Sequence, residues 1–355
     1  MTSTKGFRAA GTSAALVLVC AAAHAEVAYT LIKLESFGGS RSGAHAVNGA
    51  GVVVGFATTA PNDDDPPSEF LRAARWTGSS PADLGTLGGP YATANGISDA
   101  NVIVGYSLVP GSYNARAALW RDGVATDLGG LGGSRSEAKA INQKGTAVGY
   151  AVTLGEKKTR ATVWKNGVIK ALPGIGGNTA AAEAISNTGF IAGWSTVSKR
   201  RAHAVVWKGS VVTDLGTSHD GTSNAYGVND AGQVVGSRVV QDSHSRPTLW
   251  VGTTMTDLGT LGGDQGWAWA INNKGDVVGA SSKSGMDEAR ATLWSGGRAV
   301  DLNDVIDPEV RAEGWLLLEA RAINQNGYIA GIMRNEMGWE ERGYLLKPVT
   351  SAARH

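Results

Sequence analysis

The chain has 355 residues, with 32 Lys and Arg against 31 Asp and Glu and a single cysteine. This balance gives no electrostatic case for nucleic acid or an anionic membrane surface as partner, and one cysteine excludes a disulfide-stapled fold. Glycine, at 50 residues, is about twice as frequent as in ordinary globular chains, and what it does has to be found in its placement.

In chain order, Met1 to Ala25 reads as a secretory signal. Lys5 and Arg8 form the basic end, Ala14 to Ala23 the apolar core, and Ala23-His24-Ala25 a small-x-small cleavage site. The apolar run is too short to span a bilayer. Cys20 lies inside it, but Val19 stands before it where a lipoprotein signal wants a small residue, so a lipid anchor is not expected. The expected product is secreted or periplasmic, cleaved near Ala25, with no membrane span and a formal charge changed from +1 to −1 by loss of the two basic residues. Residues 26–347 are expected to form one domain and 348–355 a short tail, with Pro348 ending the last strand.

From residue 26 onward the chain repeats. An apolar residue followed by Asn or Ser marks each unit, at Val47, Ile97, Ile141, Ile185, Val228, Ile271 and Ile323, spaced by 50, 44, 44, 43, 43 and 52 residues. Seven units of roughly 40–50 residues, with no 3.6-residue apolar period, point to a propeller-type array. Each unit holds four short β-rich runs; in the fifth they are Ala225 to Asn229, Gln233 to Gly236, Pro247 to Trp250 and Met255 to Leu258. Asp122-Gly123 and Asn166-Gly167 read as two-residue hairpin turns. The fold class is therefore all-β: a seven-bladed β-propeller with four antiparallel strands per blade, here called A to D from the channel outward. The last unit lacks a D strand. Val27 to Phe37 aligns with one, so the amino end is expected to pair with Gly343 to Lys347 and close the ring.

Several residues recur in almost every unit. Gly55, Gly105, Gly149, Gly193, Gly236, Gly279 and Gly331 close strand B, which suggests a bulge or a close approach by a neighbouring blade. Trp76, Trp120, Trp164, Trp207, Trp250 and Trp294 mark strand C and are expected to pack between blades. Four residues before each tryptophan stands an Arg or His, with an Asp across the C–D hairpin in most units, a pattern of structural ion pairs. The Asn-x-x-Gly turns lack the alternating oxygen ligands of a calcium loop and no His/Cys cluster exists, so neither metal nor cofactor is expected.

Function is expected where the units disagree. Between two small residues on strand A come His45, Asn95, Lys139, Glu183, Tyr226, Trp269 and Arg321. Two residues upstream on the same face are Gly43, Thr93, Glu137, Ala181, Asn224, Trp267 and Glu319. Strand A lines a propeller's channel, so His45, Asn95, Glu137, Lys139, Glu183, Tyr226, Trp267, Trp269, Glu319 and Arg321 are the candidate ligand-binding residues. The other reading makes them wetted lining, free to drift. The B-to-C loops vary too: one carries Asp63, Asp64 and Asp65, one Lys199, Arg200 and Arg201, one His244, and such loops are a second place for a site.

The signature Asp-Leu-Gly-Thr-Leu-Gly-Gly (Asp83 to Gly89, Asp257 to Gly263), with Ala-x-Ala/Gly-Ile/Val-Asn and Val-Val-Gly, resembles the bacterial HAF-repeat family of probable extracellular proteins over roughly residues 31–347. The resemblance implies an exported repeat protein and supplies no catalytic residues. Two functions remain open. One is a non-catalytic, monomeric binding propeller for a saccharide, a peptide or a surface protein. The other is an extracellular glycan-active enzyme, hydrolysing with a pair of Glu137, Glu183 and Glu319 or acting as a lyase through His45 or Tyr226.

Overall fold

The computed structural model of the protein describes residues 29–61, 69–198, 201–218, 221–240, 244–285, 288–337 and 340–349. The expected signal segment and the Asp63–Asp65 run lie outside these residues, as do Lys199 and Arg200. Among the described residues the strands form seven four-stranded blades. In blade 1, strand A is Gly38–Val47, B Val53–Thr59, C Leu71–Trp76 and D Pro81–Asp83. The A strands of blades 2 to 7 are Ala92–Ile97, Gly132–Ile141, Ala180–Ile185, Ser223–Val228, Gly262–Ile271 and Trp315–Ile323. In blades 2 to 6 each is followed by its own B, C and D, joined in that order as an antiparallel four-stranded sheet. The hairpin turns have the expected positive φ, with Asp122 at 51°, Gly123 at 80°, Asn166 at 52° and Gly167 at 74°.

The ring closes as expected. Tyr29–Leu34 pairs antiparallel with Glu341–Pro348, from Tyr29 opposite Pro348 to Leu34 opposite Gly343, and serves as strand D of blade 7. A single parallel bridge between Arg41 and Glu341 joins blade 7 to blade 1. The long 52-residue spacing before Ile323 comes from an insertion the repeat pattern did not locate: a 3-10 turn at Leu302–Asp304 and a short helix at Pro308–Ala312, capped by Asp307.

The core sits between blades. Trp76, Trp120, Trp164, Trp207, Trp250 and Trp294 are all buried. Trp120 of blade 2 packs with Val54 and Ala73 of blade 1, and its ring N–H donates to the Gly85 carbonyl at 3.2 Å. Trp207 does the same to Pro173 at 2.8 Å and Trp294 to Gly259 at 3.0 Å. Each such side chain stabilises its interface by about 2–3 kcal/mol. The Arg–Asp hairpin pairs form in blades 1, 2 and 5 at 3.0, 3.2 and 3.0 Å, with His203–Asp214 at 2.9 Å in blade 4. In blade 6 Lys283 reaches Asp301 at 3.2 Å. Blade 3 has Ala171 at the acid position. Elsewhere the Asp also accepts a backbone N–H two residues on, as Asp83 does from Gly85 at 2.8 Å. In blade 3 that donor is replaced by Pro173, which has none, so both uses of the Asp are lost together.

The A–B turns lace the blades at one end of the channel. Asn48, Asn142, Asn229, Asn272 and Asn324 each donate from the side-chain amide to a carbonyl of the next blade, Asn324 to Asn48 across the closure at 2.7 Å. One residue further on, a second ring runs the same way: backbone N–H groups of Gly49, Asp99, Gln143, Asn187, Asp230 and Asn273 donate to the side-chain oxygens of Asp99, Gln143, Asn187, Asp230, Asn273 and Gln325, at 2.7–3.0 Å. Gly49 has no side chain to receive Gln325, and the seventh link is made instead by the Asn326 amide to the Gly49 carbonyl at 2.9 Å.

Candidate functional site

Every A–B pair carries a register shift at the variable position, between Ala44 and Ala46, Ala94 and Gly96, Ala138 and Ala140, Ala182 and Ala184, Ala225 and Gly227, Ala268 and Ala270, and Ala320 and Ala322. His45, Asn95, Lys139, Glu183, Tyr226, Trp269 and Arg321 are thus the unpaired extra residues of seven β-bulges, a device that re-aims a side chain. The repeated strand-B glycine is what each bulge requires. A Cβ on Gly236 would lie 1.9 Å from the Asn224 carbonyl oxygen, and on Gly149 2.0 Å from that of Glu137. Of the two expected reasons for the glycine, the bulge is the one found, and the close approach comes from the blade's own A strand.

The bulges feed one cavity of about 530 Å³, lined by His45, Asn95, Glu137, Lys139, Glu183, Tyr226, Trp269 and Arg321 together with Arg41, Phe56, Leu71, Thr93 and Tyr106. Eight of the ten candidate residues therefore meet in one place. Trp267 and Glu319 are not part of the lining. Trp267 stands opposite Ala280 on strand B, and Glu319 is ion-paired with Arg321. Leu71 and Arg41 lie at the strand ends nearest the B-to-C and D-to-A connections, so the cavity opens toward that face, away from the laced turns.

Strand B contributes residues that the sequence reading missed. Phe56, Tyr106, Tyr150 and Trp194 directly follow the repeated glycine and face Gly43, Thr93, Glu137 and Ala181 in register. The signal was present: one residue past an invariable glycine, the seven units hold Phe, Tyr, Tyr, Trp, Ser, Ala and Ile. Size is exchanged across the pair, with Ala181 opposite Trp194 and Trp267 opposite Ala280.

Glu137 is fully engaged. One oxygen accepts from Lys139 at 2.7 Å and Asn95 at 3.0 Å, the other from the Tyr150 hydroxyl at 2.9 Å. Glu183 accepts from the Trp194 ring N–H at 3.1 Å. Arg321 lies over the Trp269 ring at 4.7 Å, and Tyr226 meets the same indole at 4.6 Å with planes tilted by 50°. The His45 ring contacts the Ala94 carbonyl through Nδ1 at 3.1 Å.

These contacts set the protonation states. Burial, then the charges of Arg321 and Lys139, push His45 down to about 4, so it is neutral at pH 7. Burial pushes the Glu183 carboxyl up, and nearby Glu137 adds to this against the pull of Lys139. Burial would lower Lys139, but the carboxylates of Glu137 and Glu183 outweigh it and hold the ammonium above its usual value. Burial likewise raises Tyr226.

A second concavity of about 560 Å³ lies on the rim of blade 3, lined by Lys158, Arg160, Ala171, Leu172, Pro173, Gly174, Gly176, Gly177 and Ser210. His244, in the variable loop of blade 5, is 3.2 Å from Asp264. Among the described residues no three His, Cys, Asp or Glu side chains group as a metal site.

No family model matches the chain, so the HAF-repeat resemblance rests on its motifs. No curated protein matches it either. Among solved structures it is similar to the acylaminoacyl peptidase of Pyrococcus horikoshii, with a TM-score of 0.53 and 12% identity over 88% of this chain and 52% of the other. It spans about half of that peptidase. TolB from Acinetobacter baumannii gives 0.44 at 12% identity over 83% and 63% of the two chains. A variant of AofleA from Arthrobotrys oligospora gives 0.38 at 14% identity over 78% and 87%. At such identities the likeness to the peptidase bears on the propeller fold alone.

Proposed function

We propose that the protein is an exported, non-catalytic binding propeller of the HAF-repeat type, taking a saccharide, a peptide or a segment of a surface protein into the channel cavity. The observation that carries this reading is the row of bulges: seven identical backbone devices direct seven unlike side chains to one cavity, which matches the size and mixed lining of a ligand site. The engagement of Glu137 weighs against hydrolysis. A general acid or base must exchange protons with substrate and water, and both oxygens of Glu137 are already committed to Lys139, Asn95 and Tyr150. Export rests on the basic end, apolar core and Ala-His-Ala site; mass spectrometry of the secreted protein should give a mature chain starting at Glu26, and an intact amino terminus or a lipid on Cys20 would contradict it.

Binding is tested on a glycan and peptide array with the wild type and Trp269→Ala. A ligand found by the wild type should bind the variant more weakly by about 1–3 kcal/mol. Unchanged binding would move the site to the loops and leave the cavity residues as wetted lining.

A further inference from the structure

The charged side chains that line the cavity are not all paired. Arg41 is paired with Glu341 at 3.0 Å, Lys139 with Glu137 at 2.7 Å, and Arg321 with Glu319. Glu183 has no cationic side chain within 4.0 Å among the described residues; its one hydrogen bond comes from Trp194. Each cation that lines the cavity thus has a carboxylate partner, two of them outside the lining, and Glu183 is the lining carboxylate left without an ion pair within that distance. Lys139 is one ammonium serving two carboxylates and lies nearer Glu137. His45 cannot supply the missing charge, because it is neutral at pH 7.

A desolvated carboxylate without a counter-ion is costly, and a bound cation relieves that cost. The surroundings narrow the kind of cation. Beside Glu183 the wall is aromatic, from Tyr226 and Trp269, while Thr93, Asn95 and Tyr106 add polar groups and Phe56 and Leu71 apolar ones. A sugar ring presents an apolar face and a hydroxyl rim that suit this mixture of aromatic and polar groups. One face of Trp269 is covered by Arg321, so Tyr226 is the ring placed nearer Glu183 for stacking. We propose that the cavity binds an aminosugar-bearing saccharide, with its ammonium group paired to the Glu183 carboxylate. This rests on the channel-binding reading above and narrows it to one ligand class.

The test is calorimetric titration of the mature protein with four probes: a fully deacetylated glucosamine tetramer, its N-acetylated counterpart, a glucuronate-containing tetramer and a tri-lysine peptide. The deacetylated tetramer should bind at least about tenfold more tightly than the N-acetylated one, the equivalent of about 1.4 kcal/mol. Glu183→Gln, checked for an unchanged circular-dichroism spectrum, should remove that discrimination. Equal or tighter binding of the neutral or anionic tetramer overturns the proposal, as does discrimination that survives in Glu183→Gln. Tighter binding of tri-lysine overturns the saccharide assignment, and no binding of any probe at millimolar concentration overturns it entirely. The two readings fail separately. A neutral array ligand lost in Trp269→Ala would leave the channel reading standing and remove only this inference.

Discussion

Two rows of residues three positions apart, one on the A strands and one in the turns that follow them, behave in opposite ways. At Asn48, Asn142, Asn229, Asn272 and Asn324 the side chain is spent on the next blade. At His45, Lys139, Tyr226, Trp269 and Arg321 it is turned into the cavity. Both rows use a fixed backbone device, a turn in one case and a bulge in the other. The turn needs a particular amide, so its chemistry is constrained. The bulge needs only a glycine opposite it, so its own side chain is free to differ. Architecture and site are thereby separated along a strand and the turn after it, and substitutions in the two rows should separate in the same way.

The sharpest break comes from the glycine opposite the bulge. Gly236→Ala puts a Cβ 1.9 Å from the Asn224 carbonyl oxygen, against backbone that cannot swing aside. Denaturant unfolding should show a loss of more than about 3 kcal/mol, in the range reserved for severe core lesions. A variant as stable as wild type would mean that strand B does not need glycine there.

The turn row comes next. Asn324 is buried, donates to Asn48 at 2.7 Å, and accepts from the Asn326 and Tyr328 amides at 2.9 and 3.0 Å. Asn324→Ala should cost about 2–3 kcal/mol, because it strands buried backbone groups at the ring closure. Tyr226→Phe, in the cavity row, should cost under about 1 kcal/mol by the same measurement. Equal losses would erase the distinction between the rows.

Acid should find the cavity row through His45. Its folded-state pKa of about 4 lies below the ordinary value of 6.5, so between these values the unfolded chain binds the proton and the folded one does not. Stability that is complete above about pH 6.5 should fall as pH is lowered toward 4, by at most about 3 kcal/mol and less where cavity water screens the ring. His45→Gln should flatten the pH dependence of the thermal midpoint across that window. A slope unchanged in His45→Gln would assign the titration to other groups.

The smallest effect should have the opposite sign. Burial raises the Glu183 pKa, so the ionised side chain lowers stability above its unfolded value. Glu183→Gln should therefore raise stability at pH 7 by on the order of 1 kcal/mol or less, read as a higher thermal midpoint. A residue kept at a cost to stability is what a ligand site predicts, and a lowered midpoint would argue that Glu183 holds the wall together.

Much of this was legible because the repeat is strict. The period fixed seven blades, and the missing last D strand located the partner of Tyr29–Leu34. The contrast between Ala/Gly flanks and unlike residues picked out the cavity row. The repeated glycine suggested a bulge but not its place: alternation along Ala44-His45-Ala46 looks the same whether or not His45 pairs, and only the register reveals it. The second turn ring was hidden because Asp99, Gln143, Asn187, Asp230, Asn273 and Gln325 differ in name while each supplies the same oxygen. Trp267 and Glu319 were counted with the site by alternation alone. Both stand outside the cavity lining, which a spacing rule cannot reach.

The most direct test of the account is a crystal structure of the mature protein with a ligand found on the array. The account predicts density inside the channel cavity, in contact with Glu183 and Tyr226 and within reach of the side chains on the other bulges. Ligand density in the blade 3 rim beside Arg160, or among the B-to-C loops, with the bulge row untouched, would contradict it.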